Sequence, residues 1–260
     1  MKRVFVVVAV AGLLAHRLMA EDLSEVARIQ EFTTTKLTSY QSWTADYIQT
    51  MSTMGAQMKI TGEVQCEPPR KMRLALAMEM MGQPMTMTMV MGADQIMWQD
   101  MIMAGQRQVM KMDMSKVGPA TAAKFGPGGD AGQNLDPVKQ WEQARQLYSF
   151  TVLPAAELHG QKMHVLEGTL KPGAQTNHPA AAMFGKLRLH IGQADGFMHQ
   201  IEMFEKDATN VVMRQEFTNL KFNEPLPADT FRFTPPPGVP VVDMTDMVIQ
   251  MQGAPPPAAR

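Results

Sequence analysis

Thioethers are the most abundant groups here that could do chemistry, since 27 of the 260 residues are methionine, against one cysteine and six histidines. Their spacing is regular between Arg73 and Ser115. Met78 and Met80, then Met85, Met87, Met89 and Met91, then Met97, Met101 and Met103, then Met110, Met112 and Met114 each keep one parity. Only Met81, at a turn, breaks the pattern. Side chains alternate faces along a strand, so four strands with this spacing lay methionine on one continuous face. The opposite parity holds Arg73, Glu79, Thr86, Thr88, Asp100, Arg107, Lys111 and Asp113, which predicts a wet outer face. Three uses fit such a stripe. It can be a core face covered by helices, a pliable cavity for apolar ligands of irregular shape, or a soft site for Cu(I). Strict alternation over four strands supplies more thioethers than a three- or four-ligand copper site needs.

The other reactive side chains form no constellation. Cys66 sits in a strand-like run and, alone, makes no intramolecular disulfide; it reads as a small buried apolar residue. His159, His164, His178, His190 and His199 show no metal-ligand spacing. Glu21-Asp22 and Glu202/Glu205 read as terminal or surface charges, and Glu202 and Glu205 differ in strand parity, so they do not face each other as an acid–base pair. The chain has no GxSxG, HExxH, P-loop or GxGxxG motif. The reading is a non-enzyme with no cofactor and no metal site.

The elements that must position the stripe follow from turn signals. Gly82-Gln83-Pro84, Gly92-Ala93-Asp94 and Ala104-Gly105 separate four strands, Arg73 to Met81, Met85 to Met91, Gln95 to Met103 and Arg107 to Met114, in an antiparallel meander. An amphipathic helix from Leu23 to about Ser39 and strands Trp43 to Met51 and Lys59 to Cys66 precede them. Val117 to Ser149 reads as a helical insertion. Its Gly126 to Gly132 stretch is a hinge, and Asp136 and Pro137 cap a helix with Val138, Trp141 and Tyr148 on one face. Trp141 therefore joins the candidate binding residues as the underside of a lid over the stripe. Strands resume at Phe150 to Leu153, Lys162 to Leu170, Gly185 to Ile191, Phe197 to Glu205 and Val211 to Phe222, and the last is Thr230 to Thr234. The strand spacing leads us to expect an antiparallel sheet of about ten or eleven strands, with three helices on one face.

The first 20 residues have the three-part order of a secretory signal: Lys2 and Arg3, an apolar run from Val4 to Ala15 too short to anchor in a bilayer, and small Ala20 as the cleavage point. Their removal takes away Lys2, Arg3 and Arg17 and no acid, moving the formal charge from −1 to −4. An acidic mature chain does not suit nucleic acid. One domain is expected over 21–243, with a tail over 244–260 that is disordered from about Gly253.

The closing segment narrows the choice. Glu216-Phe217-Thr218-Asn219-Leu220-Lys221-Phe222-Asn223, then Phe231-Arg232-Phe233, then Pro235-Pro236-Pro237-Gly238-Val239, resembles the final strand, F-x-F and P-P-x-G-V exit of LolA-like outer-membrane lipoprotein carriers. Gly62-Glu63-Val64, Pro68 to Leu74 and Asp94 to Asp100 match the family's earlier strands in order. The resemblance implies a mainly β, α+β fold: a single strongly curved, unclosed antiparallel sheet, or half-barrel, with helices over its concave apolar face. It implies a monomeric periplasmic protein that holds lipid or lipoprotein acyl chains, taking them from an inner-membrane transporter to an outer-membrane acceptor. Related proteins with this fold act as envelope sensors. Met78, Met80, Met85, Met87, Met89, Met91, Met101, Met103, Met110, Met112 and Trp141 are the residues expected to touch the lipid.

Overall fold

The computed structural model describes residues 25–53, 56–68, 71–80, 82–117, 137–172, 184–205 and 210–253. The expected signal segment, the Gly126 to Gly132 hinge, the Asp136 cap, Met81 and the end of the tail lie outside these residues. The protein is mainly β. Twelve strands form one unclosed sheet, hydrogen-bonded in the order Val241–Asp243 (β12), Gln106–Asp113 (β6), Ile96–Met103 (β5), Gln83–Met91 (β4), Lys71–Met80 (β3), Ala56–Glu67 (β2), Trp43–Thr53 (β1), Val211–Phe222 (β11), Met198–Glu205 (β10), Phe184–Gly192 (β9), Gln161–Leu170 (β8) and Tyr148–Leu158 (β7). The chain divides into two compact units, one of Met1–Ser39 with Trp141–Val211, the other of Tyr40–Gln140 with Val212–Arg260.

The second unit holds the meander. Its strands are β1 (Trp43–Thr53), β2 (Ala56–Glu67), β3 (Lys71–Met80), β4 (Gln83–Met91), β5 (Ile96–Met103) and β6 (Gln106–Asp113), joined by nearly all of β11 (Val211–Phe222) and by β12 (Val241–Asp243). β5 and β6 meet in a two-residue turn whose central residues, Ala104 and Gly105, both have positive φ (49° and 77°), the hand that matches strand twist. β11 is ended and bent by asparagines. Asn219 (φ 51°) sits at a register shift against β1 and donates to Asp46, and Asn223 (φ 59°) accepts from the Gln41 amide at 2.7 Å. Asparagine tolerates this left-handed region better than most residues.

The F-x-F segment is not the strand expected at Thr230 to Thr234. Turn bonds from Thr230 N to Pro227 O and from Arg232 N to Asp229 O curl it, and the three prolines that follow have no amide hydrogen for a ladder. Phe233 instead lies 5.3 Å from Trp98, centroid to centroid, and a Cβ on Gly92 would approach the Phe231 carbonyl to 2.9 Å. The outer face is therefore not uniformly wet. Val90 and Val109 are buried, and Asp100, 8% exposed, is held by a two-pronged ion pair with Arg107. The true last strand is β12. It runs parallel to β6, the one departure from an antiparallel pairing among the registers described, and leads into a helix (α3, Thr245–Gly253) within the segment expected to be a tail.

The first unit packs helix α1 (residues 25–39) and most of α2 (Pro137–Leu147) with β7 (Tyr148–Leu158), β8 (Gln161–Leu170), β9 (Phe184–Gly192) and β10 (Met198–Glu205). Ile29, Trp141, Tyr148, Phe150, Leu166, Leu187, Leu189, Ile191, Met198 and Ile201 form its core. Gly168 makes room for Phe150, directly opposite it across the β7–β8 pair, because a Cβ there would stand 2.7 Å from the ring. β7 is longer than the expected Phe150 to Leu153. Its register shifts between Leu153 and Ala156, around Pro154, which has no amide hydrogen to donate to the ladder.

Candidate functional site

The registers of the second unit place the methionines in rows. Met78 faces Met85, which faces Met103; Leu76 faces Met87, which faces Met101; Leu74 faces Met89, which faces Gln99 and then Met110; Met72 faces Met91, Met97 and Met112 in turn. Directly paired residues share a sheet face, so the stripe read from parity is one surface. The same rows continue into Ile60, Gly62, Val64 and Cys66 on β2 and into Gln49, Tyr47, Ala45 and Trp43 on β1.

Shielding along this surface is graded. Val64, Leu74 and Tyr47 are fully buried, and Leu76, Met72, Met97 and Met112 nearly so. Met78, Met85, Met87, Met89, Met91, Met101 and Met110 are partly exposed, and Met103 is 43% exposed. Met80 occupies the end of β3, paired with Gln83. Polar residues also enter the face at Gln99, Gln106 and Gln108, with Gln99 Nε2 3.3 Å from the Met87 sulfur. The sequence reading missed these glutamines, although they share the methionines' parity.

The buried end of the face has a cover. Val248 of α3, 1% exposed, and Met244 pack with Met97, Met112, Met114 and Val117. A cleft of about 230 Å³ remains beside them, lined by Met97, Gln99, Met110, Met112, Met244 and Met247 among others. α3 is fastened electrostatically. The Asp243 carboxylate accepts from the Thr245 amide at 3.0 Å and pairs with Lys111 at 3.1 Å, while Thr245 Oγ1 accepts from the Asp113 amide. Bonds from Thr245 and then Lys111 hold the Asp243 carboxyl down at about 2. Sequence reasoning stopped at Asp243 and so missed this cover, although Met244, Val248 and Met251 stand at helical spacing.

Trp141, grouped with the stripe in the sequence reading, is 1% exposed in the core of the first unit, 5.2 Å from the Phe150 ring. Glu202, read as a surface charge, is instead 6% exposed; Arg188 stands 3.8 Å and His190 3.5 Å from its carboxylate. Arg188 and Lys186 also bind Glu167, and although burial opposes it, these bonds hold the Glu167 carboxyl below its usual range. Glu205, at the end of β10, is exposed. Among the described residues no group of three or more His, Cys, Asp or Glu side chains is placed to hold a metal, and no helix is long and apolar enough to cross a membrane. Cys66 is buried and forms no disulfide.

No protein-family model and no curated protein matches this chain. Solved structures do. The chain is similar to LprF from Mycobacterium bovis. That likeness has a TM-score of 0.46 at 13% identity and covers 78% of this chain and 95% of LprF. The Mycobacterium tuberculosis lipoprotein LppX follows at 0.44 and 12%, covering 81% and 99%. A putative outer-membrane lipoprotein-sorting domain from Vibrio parahaemolyticus gives 0.34 and 11%, covering 79% and 95%. MucB gives 0.41 and 13%; 78% of this chain aligns over 62% of MucB, which is also known in complex with MucA.

Proposed function

We propose that this chain is an exported, non-catalytic periplasmic carrier, which holds lipoprotein acyl chains or another lipid against the methionine face of its second unit for transfer toward the outer membrane. The observation that supports this reading most is the set of partly exposed methionines aligned in register on β3 to β6. A protein surface rarely leaves so continuous an apolar area open unless something binds there. Each CH₂ group moved onto it from water contributes about 0.8 kcal/mol. The unbranched, polarizable thioether adapts its rotamers to a chain of irregular shape, which suits a carrier that must accept several cargoes and let them go. Donor and acceptor are an inner-membrane transporter and an outer-membrane acceptor.

A second reading draws on Met72, Met91, Met97 and Met112, thioethers on four consecutive strands of one row. Soft sulfur ligands on neighbouring strands suit Cu(I). Native mass spectrometry of protein purified from the cell envelope separates the two. The carrier reading expects added lipid mass, and stoichiometric copper without lipid would replace it with the second.

A further inference from the structure

At one margin of the methionine face lies a polar pair that hydrocarbon alone would leave unused. Gln49 of β1 stands directly opposite Gln215 of β11, and the same row continues from Gln49 through Ile60, Met78 and Met85 to Met103. Both glutamines are buried, 6% and 4% exposed. The Gln49 amide is engaged at both ends: its oxygen accepts from the Tyr47 hydroxyl, and its nitrogen lies 3.5 Å from the Met213 sulfur. The Gln215 nitrogen is different, because it is sealed from solvent and has no acceptor.

A buried amide N–H without a partner bears the full cost of losing water, and only an incoming acceptor recovers it. We propose that Gln215 anchors the head of the bound chain by donating its Nε2 hydrogen to the carbonyl oxygen of an acyl ester or amide. The hydrocarbon then runs along the row over Ile60, Met78 and Met85. This rests on the carrier reading and deepens it, by giving the bound lipid a polarity and a direction. The acceptor is a neutral carbonyl because no cation stands in this row, and burying an unpaired anion there would cost far more than one amide returns. Five inter-strand steps of about 4.8 Å separate Gln215 from Met103, roughly 24 Å. A single acyl chain fills half of the ~30 Å bilayer core, about 15 Å, so the row is long enough.

Two lipids that differ only in the carbonyl test this: 1-palmitoylglycerol and its ether counterpart, 1-O-hexadecylglycerol. The native protein is expected to bind the ester roughly three- to tenfold more tightly, and Gln215→Leu to abolish that preference. Equal binding of ester and ether by the native protein, as when a water satisfies Gln215, overturns the anchor and leaves the carrier reading standing. A preference that survives in Gln215→Leu does the same. Failure to bind either lipid overturns the carrier reading beneath it. If Gln215→Leu does not fold, the side-chain amide resonance of Gln215 in the native protein decides. A shift with the ester alone supports the anchor, and the same response to both lipids sinks it.

Discussion

Met97 of β5 stands directly opposite Met112 of β6, and both are shut away by packing with Val248 of the C-terminal helix. Met85, Met87 and Met103, on the same face, remain partly or largely exposed. Thioether oxidation follows access, so dilute peroxide should convert Met85, Met87 and Met103 to sulfoxide well before Met97 and Met112. Val248→Ala removes two buried methyl groups, at a cost of about 1–2 kcal/mol, and should raise the oxidation rates of Met97 and Met112 selectively. Peptide mass spectrometry reads both outcomes, and equal rates in the native protein would contradict the cover.

The hold of α3 should depend on acid. Asp243 is held at about 2, against 3.8 for an ordinary aspartate, by its bonds to Thr245 and Lys111. A depressed carboxyl pKa stabilises the bound form fully above about 4, and that contribution is lost as pH falls toward 2. Amide hydrogen exchange in residues 245–253 should therefore accelerate between pH 4 and pH 2 beyond its intrinsic trend. Asp243→Asn should show the accelerated level, relative to the intrinsic rate, already at pH 6.

Two glycines are needed for space. A Cβ at Gly62 would lie 2.0 Å from the Ala75 carbonyl oxygen, and backbone cannot swing aside as a side-chain end can. Gly62→Ala should cost about 3 kcal/mol or more in denaturant unfolding. At Gly168 the obstacle is the edge of the Phe150 ring, and the cost should be smaller, about 1–3 kcal/mol. A reversed order would mean that the β2–β3 pairing is looser than described.

Tyr47, fully buried, donates to Gln49, and burial raises its phenol above the ordinary value of 10. Its neutral form is the one the fold stabilises, so stability should fall as pH rises above 10, where the unfolded chain ionises first. Tyr47→Phe should weaken that pH dependence and cost about 1–3 kcal/mol through loss of the buried hydrogen bond to Gln49. Thermal unfolding between pH 9 and pH 11 reads the difference.

Most of the sheet was legible because a strand's period of two is written directly into its residues. The parity of Met85 to Met91 fixed a face, and Ala104-Gly105 fixed the pairing beside it. The F-x-F segment misled because Phe231 and Phe233 alternate as strand residues do, yet Pro235 to Pro237 deny them a ladder; the partner of Phe233, Trp98, is over a hundred residues away in sequence. The glutamine pair was invisible for the same reason. Gln49 and Gln215 become neighbours only through the β1–β11 register, which no local pattern encodes. Trp141 was legible as one face of a helix, but periodicity says that a face is buried and not against what.

The central claim is that acyl chains lie on the methionine face. Methionine methyl NMR tests it directly, with each signal assigned by single Met→Leu substitution and 1-palmitoylglycerol as the titrant. The account predicts shifts at Met78, Met85, Met87, Met89 and Met101, with Met163 and Met198, sealed in the first unit, unchanged. Shifts confined to Met163 and Met198, or binding that moves no methionine methyl at all, would contradict it.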